Sequence, residues 1–427
     1  MVKIQAQTGD YVEVSLINKD HRGVLLETPE SEKGILLLKL DSGYNIGFAK
    51  KEIIEVKVLE KSVDVKEEIE TPSSKGKPSV AMIITGGTIA ARLNPKKGGV
   101  DWLDNPESLF KFYPELFEKV DVKIVEVPFM KASEDMDFRD WQKIARVAVK
   151  LLNDVNIRGV IVTHGTDFLH YTSAALSFFI RDLNKPVVLT YSQRSIDRAS
   201  SDANLNLQCS AVAAISDIAE VMLVGHGSVN DDFCYAMSGT KVRKLHSSKR
   251  DAFRIVNDKP FAKVFPDKLI NVSDYNLRKK GKVKLDVKFE EKVALVKVYP
   301  GQNPEILDFY FRKKFKGIVL EMSGLGHVPG KRSKNSWLSK LKEMRKRGIT
   351  VCAVTQCING RTDPLVYSNG REILDTGVIY LGDMLGETAL VKLGWVLGHE
   401  EWAKNPEKVK EKMLENIAGE ISERLEN

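Results

Sequence analysis

Between residues 10 and 59 apolar and polar positions alternate in short runs, "DYVEVSLINKDHRGVLLETPESEKGILLLKLDSGYNIGFAKKEIIEVKVLE", broken by turn residues such as "DSGYN". Alternation of period two, interrupted this often, predicts short half-buried strands, and residues 1–60 are expected to form a small closed barrel of the SH3-like or Sm-like kind. Residues 61–79, "KSVDVKEEIETPSSKGKPS", are charged and then rich in Ser, Pro and Gly. No apolar period there is long enough to be buried, which predicts a linker.

Beyond residue 80 the texture changes. Apolar runs such as "VAMIITGG", "VDVKIVEVP", "GVIVTHGTD", "PVVLTYS" and "VMLVGHG" come one after another, each followed by a helical pattern. Uninterrupted apolar strands alternating with amphipathic helices predict right-handed βαβ units and a parallel sheet covered on both faces. A polar break, "DYNLRKKGKVKLDVKFEEK", precedes a second series, "VALVKVYPG", "GIVLEMSG" and "GITVCAVTQ". A boundary around residues 285–292 follows, giving two α/β domains, 80–286 and 287–427. In residues 400–427, Val409, Met413, Ile417 and Ile421 recur at four-residue steps among charges, a narrow apolar stripe expected to pack on its own domain.

The chain has 427 residues, enough for two or three cores. No segment approaches the roughly 18 apolar residues of a membrane span, and "MVKIQAQTGD" lacks a signal-peptide layout, so a cytoplasmic location is expected. The formal charge of +7 is compatible with an anionic partner and does not require one. Cys209, Cys234, Cys352 and Cys357 form no C-x-x-C pair and read as reduced, mostly buried small residues rather than a metal site.

Candidate chemistry sits where apolar strands end, since ligands of doubly wound sheets gather outside the carboxyl ends of the strands. In "TGGTIA", Gly86 and Gly87 permit sharp geometry and leave Thr88 near the start of an expected helix. By itself this reads rather as a glycine turn capped by a threonine. It is not G-x-G-x-x-G, and no phosphate-binding G-x-x-x-x-G-K-[ST] occurs anywhere. In "THGTD" a second hydroxyl, Thr166, stands beside a carboxylate, Asp167. Alone, Asp167 reads as a helix cap and His164 as a satisfied core histidine; two threonine-bearing strand ends together suggest a pocket. In "CYAMSGTKVRKLHSSKRDAF", Ser238-Gly239 reads as a two-residue hairpin turn that projects Lys244 from the return strand. A lysine partly withdrawn from water near a hydroxyl and a carboxylate can serve as a base. The alternative is a solvated basic cluster with Lys241, Arg243, Lys249 and Arg250.

"TGGTIA", "VIVTHGTDFLHYTSAAL", "KVRKLHSSKRDAF" and "GIVLEMSGLGHVPG" resemble, in order and spacing, the bacterial-type L-asparaginase family, over about residues 80–400. The resemblance implies a two-domain α/β body that releases ammonia from a side-chain amide through an acyl-enzyme. It matches Thr88 to the nucleophile and Thr166, Asp167 and Lys244 to the activating group. Asp167 and Ser133, in "KASEDMDF", match residues that hold the substrate's α-ammonium and α-carboxylate, with Gly87 and Gly165 in the same loops. Backbone amides near Thr88 and Thr166 are the candidate oxyanion donors. The tyrosine expected after "TGGTIA" is missing from "ARLNPKKGGVDWLDNPESLF".

The barrel and linker depart from plain asparaginases. With "LLKLDSGYNIGF" and "NGRTDPLVYSNGREILDTGVIYLGDMLGETALVKLGWVLG" they resemble the branch of that family that serves as D subunits of archaeal-type glutamyl-tRNA(Gln) amidotransferases. This implies a glutaminase that passes ammonia to an E subunit, where Glu-tRNA(Gln) is amidated. It also implies a homodimer within a heterotetramer, with no cofactor in this chain and ATP and Mg2+ in the partner. The alternative is a free-standing asparaginase/glutaminase. A third reading, an RNA-binding module with an inactive body, is at odds with the presence of all three motif loops.

Overall fold

The computed structural model describes residues 5–28, 34–42, 44–61, 76–94, 99–102, 113–196, 198 and 200–425. The first unit is five antiparallel strands, β1 (Tyr11–Ser15), β2 (Asp20–Leu26), β3 (Ile35–Leu40), β4 (Asn45–Ala49) and β5 (Glu55–Glu60), in the order β4-β3-β2-β1-β5. A 3-10 turn, Lys50–Glu52, joins β4 to β5. Val12, Val14, Leu25, Leu36, Leu38, Phe48 and Ile53 fill its core. The alternation expected of these residues is present. Closure is not: β4 and β5 exchange no hydrogen bonds among the described residues and remain edges.

The body carries an eight-stranded sheet in the order β18-β17-β14-β13-β12-β10-β6-β9. Its strands are β6 (Ser79–Ile84), β9 (Asp121–Glu126), β10 (Val160–Thr163), β12 (Val187–Thr190), β13 (Val221–His226), β14 (Cys234–Ser238), β17 (Ala262–Val264) and β18 (Leu269–Asn271). Strands β9, β6, β10, β12 and β13 run parallel; β14, β17 and β18 extend the sheet antiparallel. The central strands are apolar throughout because both faces are covered. Ala81, Ile83, Val160, Val162, Val187 and Leu189 enter one core, while Val80, Met82, Ile84, Ile161 and Val188 enter the other. Successive side chains of a strand point to opposite faces, so each run feeds two cores at once.

Helix Phe138–Leu152 covers the first face with Ile144, Ala145, Ala148, Leu151 and Leu152, and helix Leu169–Phe179 lies beside it. Asp137 starts the former with a capping box: its carboxylate accepts from Arg139 N–H, and Asp140 accepts from the Asp137 amide. Helix Ala203–Ile215 covers the second face.

Two runs do not lead into helices as expected. After β6 the chain makes one 3-10 turn, Thr88–Ala90, and then a hairpin of β7 (Ala91–Asn94) and β8 (Gly99–Trp102), with Ala91 opposite Trp102. After β13 the loop is closed on itself by Ser228 and Asp232, and the chain returns as antiparallel β14. In both places the chain folds back as a hairpin on the strand just before it, and that pairing overrides the helical pattern.

The second α/β unit is a parallel sheet, β20 (Val293–Lys297), β21 (Gly317–Met322), β22 (Thr350–Thr355) and β23 (Ile379–Tyr380). Val319, Cys352 and Val354 face the same core as helix Leu169–Phe179, and helix Gly386–Leu397, buried along its whole length, lies in that shared core. At the C-terminus, helix Pro406–Leu414 buries Val409 and Met413. The apolar stripe continues to Ile417 and Ile421, but the helix stops at Leu414 and those two residues pack from irregular chain. The buried Lys392 ammonium fixes this end by donating to the carbonyls of Met413 and Glu415 and to the Glu420 carboxylate. No helix among the described residues is long and apolar enough to cross a membrane. Cys209, Cys234 and Cys352 are buried thiols and Cys357 is exposed.

Candidate active site

Three strand ends converge. Gly86 and Gly87 adopt φ values of 112° and 81°, conformations that an L side chain rarely takes. Space demands glycine there as well. A Cβ on Gly87 would stand 2.4 Å from the Gly165 backbone, and one on Gly86 would stand 2.5 Å from the Lys131 carbonyl oxygen. The "TGGTIA" and "THGTD" loops therefore touch backbone to backbone. Thr85 stitches them to their neighbours: its amide and hydroxyl donate to the Thr163 carbonyl, and its own carbonyl accepts from Lys131 N–H.

Ser133, 2 % exposed, lies in the turn after β9 and accepts from the amides of Asp167 at 3.1 Å and Phe168 at 3.3 Å. It thus reaches the Asp167 loop and uses up that residue's amide. The Thr166 amide has no intramolecular acceptor among the described residues. His164 is fully buried; with Nδ1–H donating to the Gly165 carbonyl, its Nε2 accepts from the Thr172 hydroxyl. Burial pushes its pKa down to about 4, so the ring is neutral and braces the Gly165-Thr166 turn, the satisfied core histidine expected from the sequence.

Lys244 ends strand β15 (Val242–Lys244), which pairs with β16 (Phe253–Ile255). Its Nζ is 2.8 Å from Thr166 Oγ1 and 2.8 Å from Asp167 Oδ1. The lysine side chain is 9 % exposed, whereas Asp167 remains 59 % exposed and makes no helix cap. Thr166, Asp167, Lys244 and Ser133 are thus brought together. Thr88 stands half-buried on the abutting loop, and no hydrogen bond joins it to those four among the described residues. The segment without the expected tyrosine, 91–110, lies largely outside the described residues.

The expected Ser238-Gly239 hairpin is absent, since β14 and β15 belong to different sheets. Gly239 is pinned to helix Leu169–Phe179, where its carbonyl accepts from the Ser173 hydroxyl and a Cβ would meet Ser177 Oγ at 2.8 Å. Lys241 is not a solvated member of a basic cluster either. It is completely buried and paired with Asp383, with the Ser422 hydroxyl at 3.3 Å. Beside Lys244, Arg243 pairs with Glu387 at 2.9 Å. Sequence reasoning missed Asp383 and Glu387, which lie far along the chain in the second unit.

Three family models match the chain. Residues 79–276 match the family described as asparaginase, N-terminal; residues 292–413 match the glutaminase/asparaginase C-terminal domain. Residues 6–59 match the GatD N-terminal domain. A D subunit of glutamyl-tRNA(Gln) amidotransferase from Thermococcus kodakarensis is 46% identical over 97% of this chain and 94% of its own length. The chain belongs to the D-subunit family of glutamyl-tRNA(Gln) amidotransferases. The D-subunit protein of Pyrococcus horikoshii is 49% identical over 91% of this chain and 87% of its own. Among solved structures, the thermostable L-asparaginase of Thermococcus kodakarensis superposes with a TM-score of 0.71 at 31% identity, over 81% of this chain and 100% of that one. The asparaginase-like body and its all-β N-terminal unit agree with the fold class read from the sequence.

Proposed function

We propose that this chain is the glutamine amidohydrolase of a tRNA-dependent amidotransferase, supplying ammonia to an E-type partner that converts Glu-tRNA(Gln) to Gln-tRNA(Gln). The observation that carries the chemistry is Lys244, 2.8 Å from both the Thr166 hydroxyl and the Asp167 carboxylate, on a loop that abuts the one bearing Thr88. A threonine hydroxyl attacks an amide only when its proton is taken as the bond forms. Thr88 Oγ1 adds to the glutamine Cδ while the Thr166–Lys244 pair accepts the proton. The oxyanion faces backbone amides, that of Thr166 among them. Collapse breaks the C–N bond, the proton returns to nitrogen, and ammonia leaves. Water then hydrolyses the ester with the same group as base. Asp167 and Ser133, with Gly87 and Gly165, hold the amino-acid end of the substrate.

The full-length likeness to D-subunit proteins supports an assembly with a second kind of chain. The reading takes that partner to be an E subunit, in a heterotetramer built on a homodimer of this chain, with ATP and Mg2+ bound in the partner and the complex in the cytoplasm with its tRNA. The test is co-purification with an E-type partner followed by an assay of glutamine-dependent amidation of Glu-tRNA(Gln). Amidation, with glutamine hydrolysis stimulated by partner and tRNA, is expected. Robust asparagine turnover without any partner contradicts the proposal and favours a free-standing asparaginase.

A further inference from the structure

The short stretch that delivers Lys244 is held by both units, and several of its contacts come from the C-terminal one. Among the described residues its strand, β15, pairs only with β16 in a two-stranded ribbon and takes no part in the eight-stranded sheet. From the C-terminal unit, by contrast, it is gripped repeatedly. The Thr240 carbonyl accepts from the Thr388 hydroxyl at 2.7 Å, and the Thr240 hydroxyl donates to the Ala418 carbonyl at 2.9 Å. Lys241 is buried against Asp383 and Ser422. Arg243, the residue next to Lys244, binds Glu387 at the start of helix Gly386–Leu397. Thr166 and Asp167 stand on a loop of the N-terminal unit. The approach of Lys244 to them is therefore set across the junction of the two units.

Glu387 is the member of this grip whose cost is hardest to explain by packing. It is 6% exposed, and one of its carboxylate oxygens, Oε2, is buried without a partner. His170 stands 3.9 Å from its other oxygen with Nδ1 also unpartnered, and burial with the charges of Arg243 and Lys244 pushes that ring's pKa down to about 3. Burial and the nearby Glu387 raise the pKa of Glu321. A neutral histidine offers Glu387 no countercharge, a second carboxyl repels it, and among the described residues Arg243 is its single short ion pair. Apolar residues of the same volume would hold two packed units together at less cost.

We infer that Glu387 is a positioning residue for the amidohydrolase reaction: through Arg243 it sets strand β15 so that Lys244 meets Thr166 and Asp167. This rests on the catalytic role proposed for Lys244. The C-terminal unit, which donates no group to the Lys244–Thr166–Asp167 set, then governs the rate.

The test is steady-state glutamine hydrolysis by the full chain, with its partner present if the rate requires it. Glu387→Ala lowers kcat by about tenfold or more with KM within about twofold, as expected when a transition-state interaction alone is disturbed. Glu387→Gln, which keeps an acceptor for Arg243, stays within about threefold of wild type. In a Lys244→Met background Glu387→Ala changes the residual rate by less than about twofold, because the two act through one group. Wild-type kcat in Glu387→Ala overturns the inference, as does a loss just as large in the Lys244→Met background. If Glu387→Ala does not fold, Arg243→Ala tests the same pair from its more exposed end, and wild-type kcat there overturns it equally. Full activity in Lys244→Met alone sinks the catalytic role of Lys244 and this inference with it; a silent Glu387 beside a dead Lys244→Met sinks the inference only.

Discussion

Lys241 and Lys244 are three residues apart and have opposite surroundings. Lys241 is sealed from solvent against Asp383, itself fully buried, with a serine hydroxyl completing its shell. Lys244 is nearly as enclosed, yet its partners are a hydroxyl and a carboxylate that is 59% exposed. A buried charge that is fully paired is a fixed part of the fold. One whose partner opens to solvent and whose second contact is a hydroxyl is within reach of a ligand, as the proposed role requires. The difference lies in the partners, and each partner comes from a different unit of the molecule. Lys392, buried against Glu420, belongs with Lys241.

Substitutions sharpen this contrast. The largest effect is expected at Lys244. Lys244→Met removes the proton acceptor, so kcat for glutamine hydrolysis falls by about 10²–10⁴-fold while the thermal midpoint stays near wild type. A large loss of stability instead would move Lys244 into the class of Lys241. At Lys241 the expectation is reversed. Asp383→Asn strands a buried ammonium and costs about 3–5 kcal/mol in denaturant unfolding, whereas Lys241→Met with Asp383→Leu restores stability to near or above wild type. Equal stability of all three proteins would show that the pair is not desolvated in solution.

His164 gives an effect of pH. Its folded pKa of about 4 lies below the ordinary value of 6.5, so the unfolded chain binds the extra proton first. Its contribution is complete above about pH 6.5 and is lost as pH falls towards 4, on the order of 3 kcal/mol in all. Unfolding free energies measured at pH 7.5, 5.5 and 4.5 show this slope, and His164→Asn reduces it, His170 with its pKa of about 3 supplying a further part. At the small end stands Lys404, 78% exposed beside Glu400 one helical turn away. Lys404→Ala changes stability by less than about 0.5 kcal/mol, the usual worth of an exposed pair.

The contrast also marks what the sequence made legible. "VIVTHGTD" displays its strand and its chemistry together, because a central parallel strand must be apolar and the residues after it must face the ligand side. Thr88, Thr166, Asp167 and Lys244 could be named from such positions and from family resemblance. Lys241 could not be separated from Arg243 and Lys249, because its distinguishing partner, Asp383, lies 142 residues away and nothing local to "GTKVRK" records it. The same limit applies to Glu387. The helix expected after "TGGTIA" fails for a different reason, since Ala91 pairs with nearby Trp102 and the chain leaves the turn as a hairpin. Local period set the elements; hairpin pairing between neighbouring segments decided which of them were redirected.

The most direct measurement is covalent trapping. The protein is incubated with an electrophilic glutamine analogue that alkylates an attacking hydroxyl, and the modified peptide is located by mass spectrometry, in wild type and in Lys244→Met. One adduct on Thr88, formed about 100-fold or more slowly without Lys244, is the expected result. An adduct on Thr166, or one on Thr88 at an unchanged rate in Lys244→Met, would contradict the assignment.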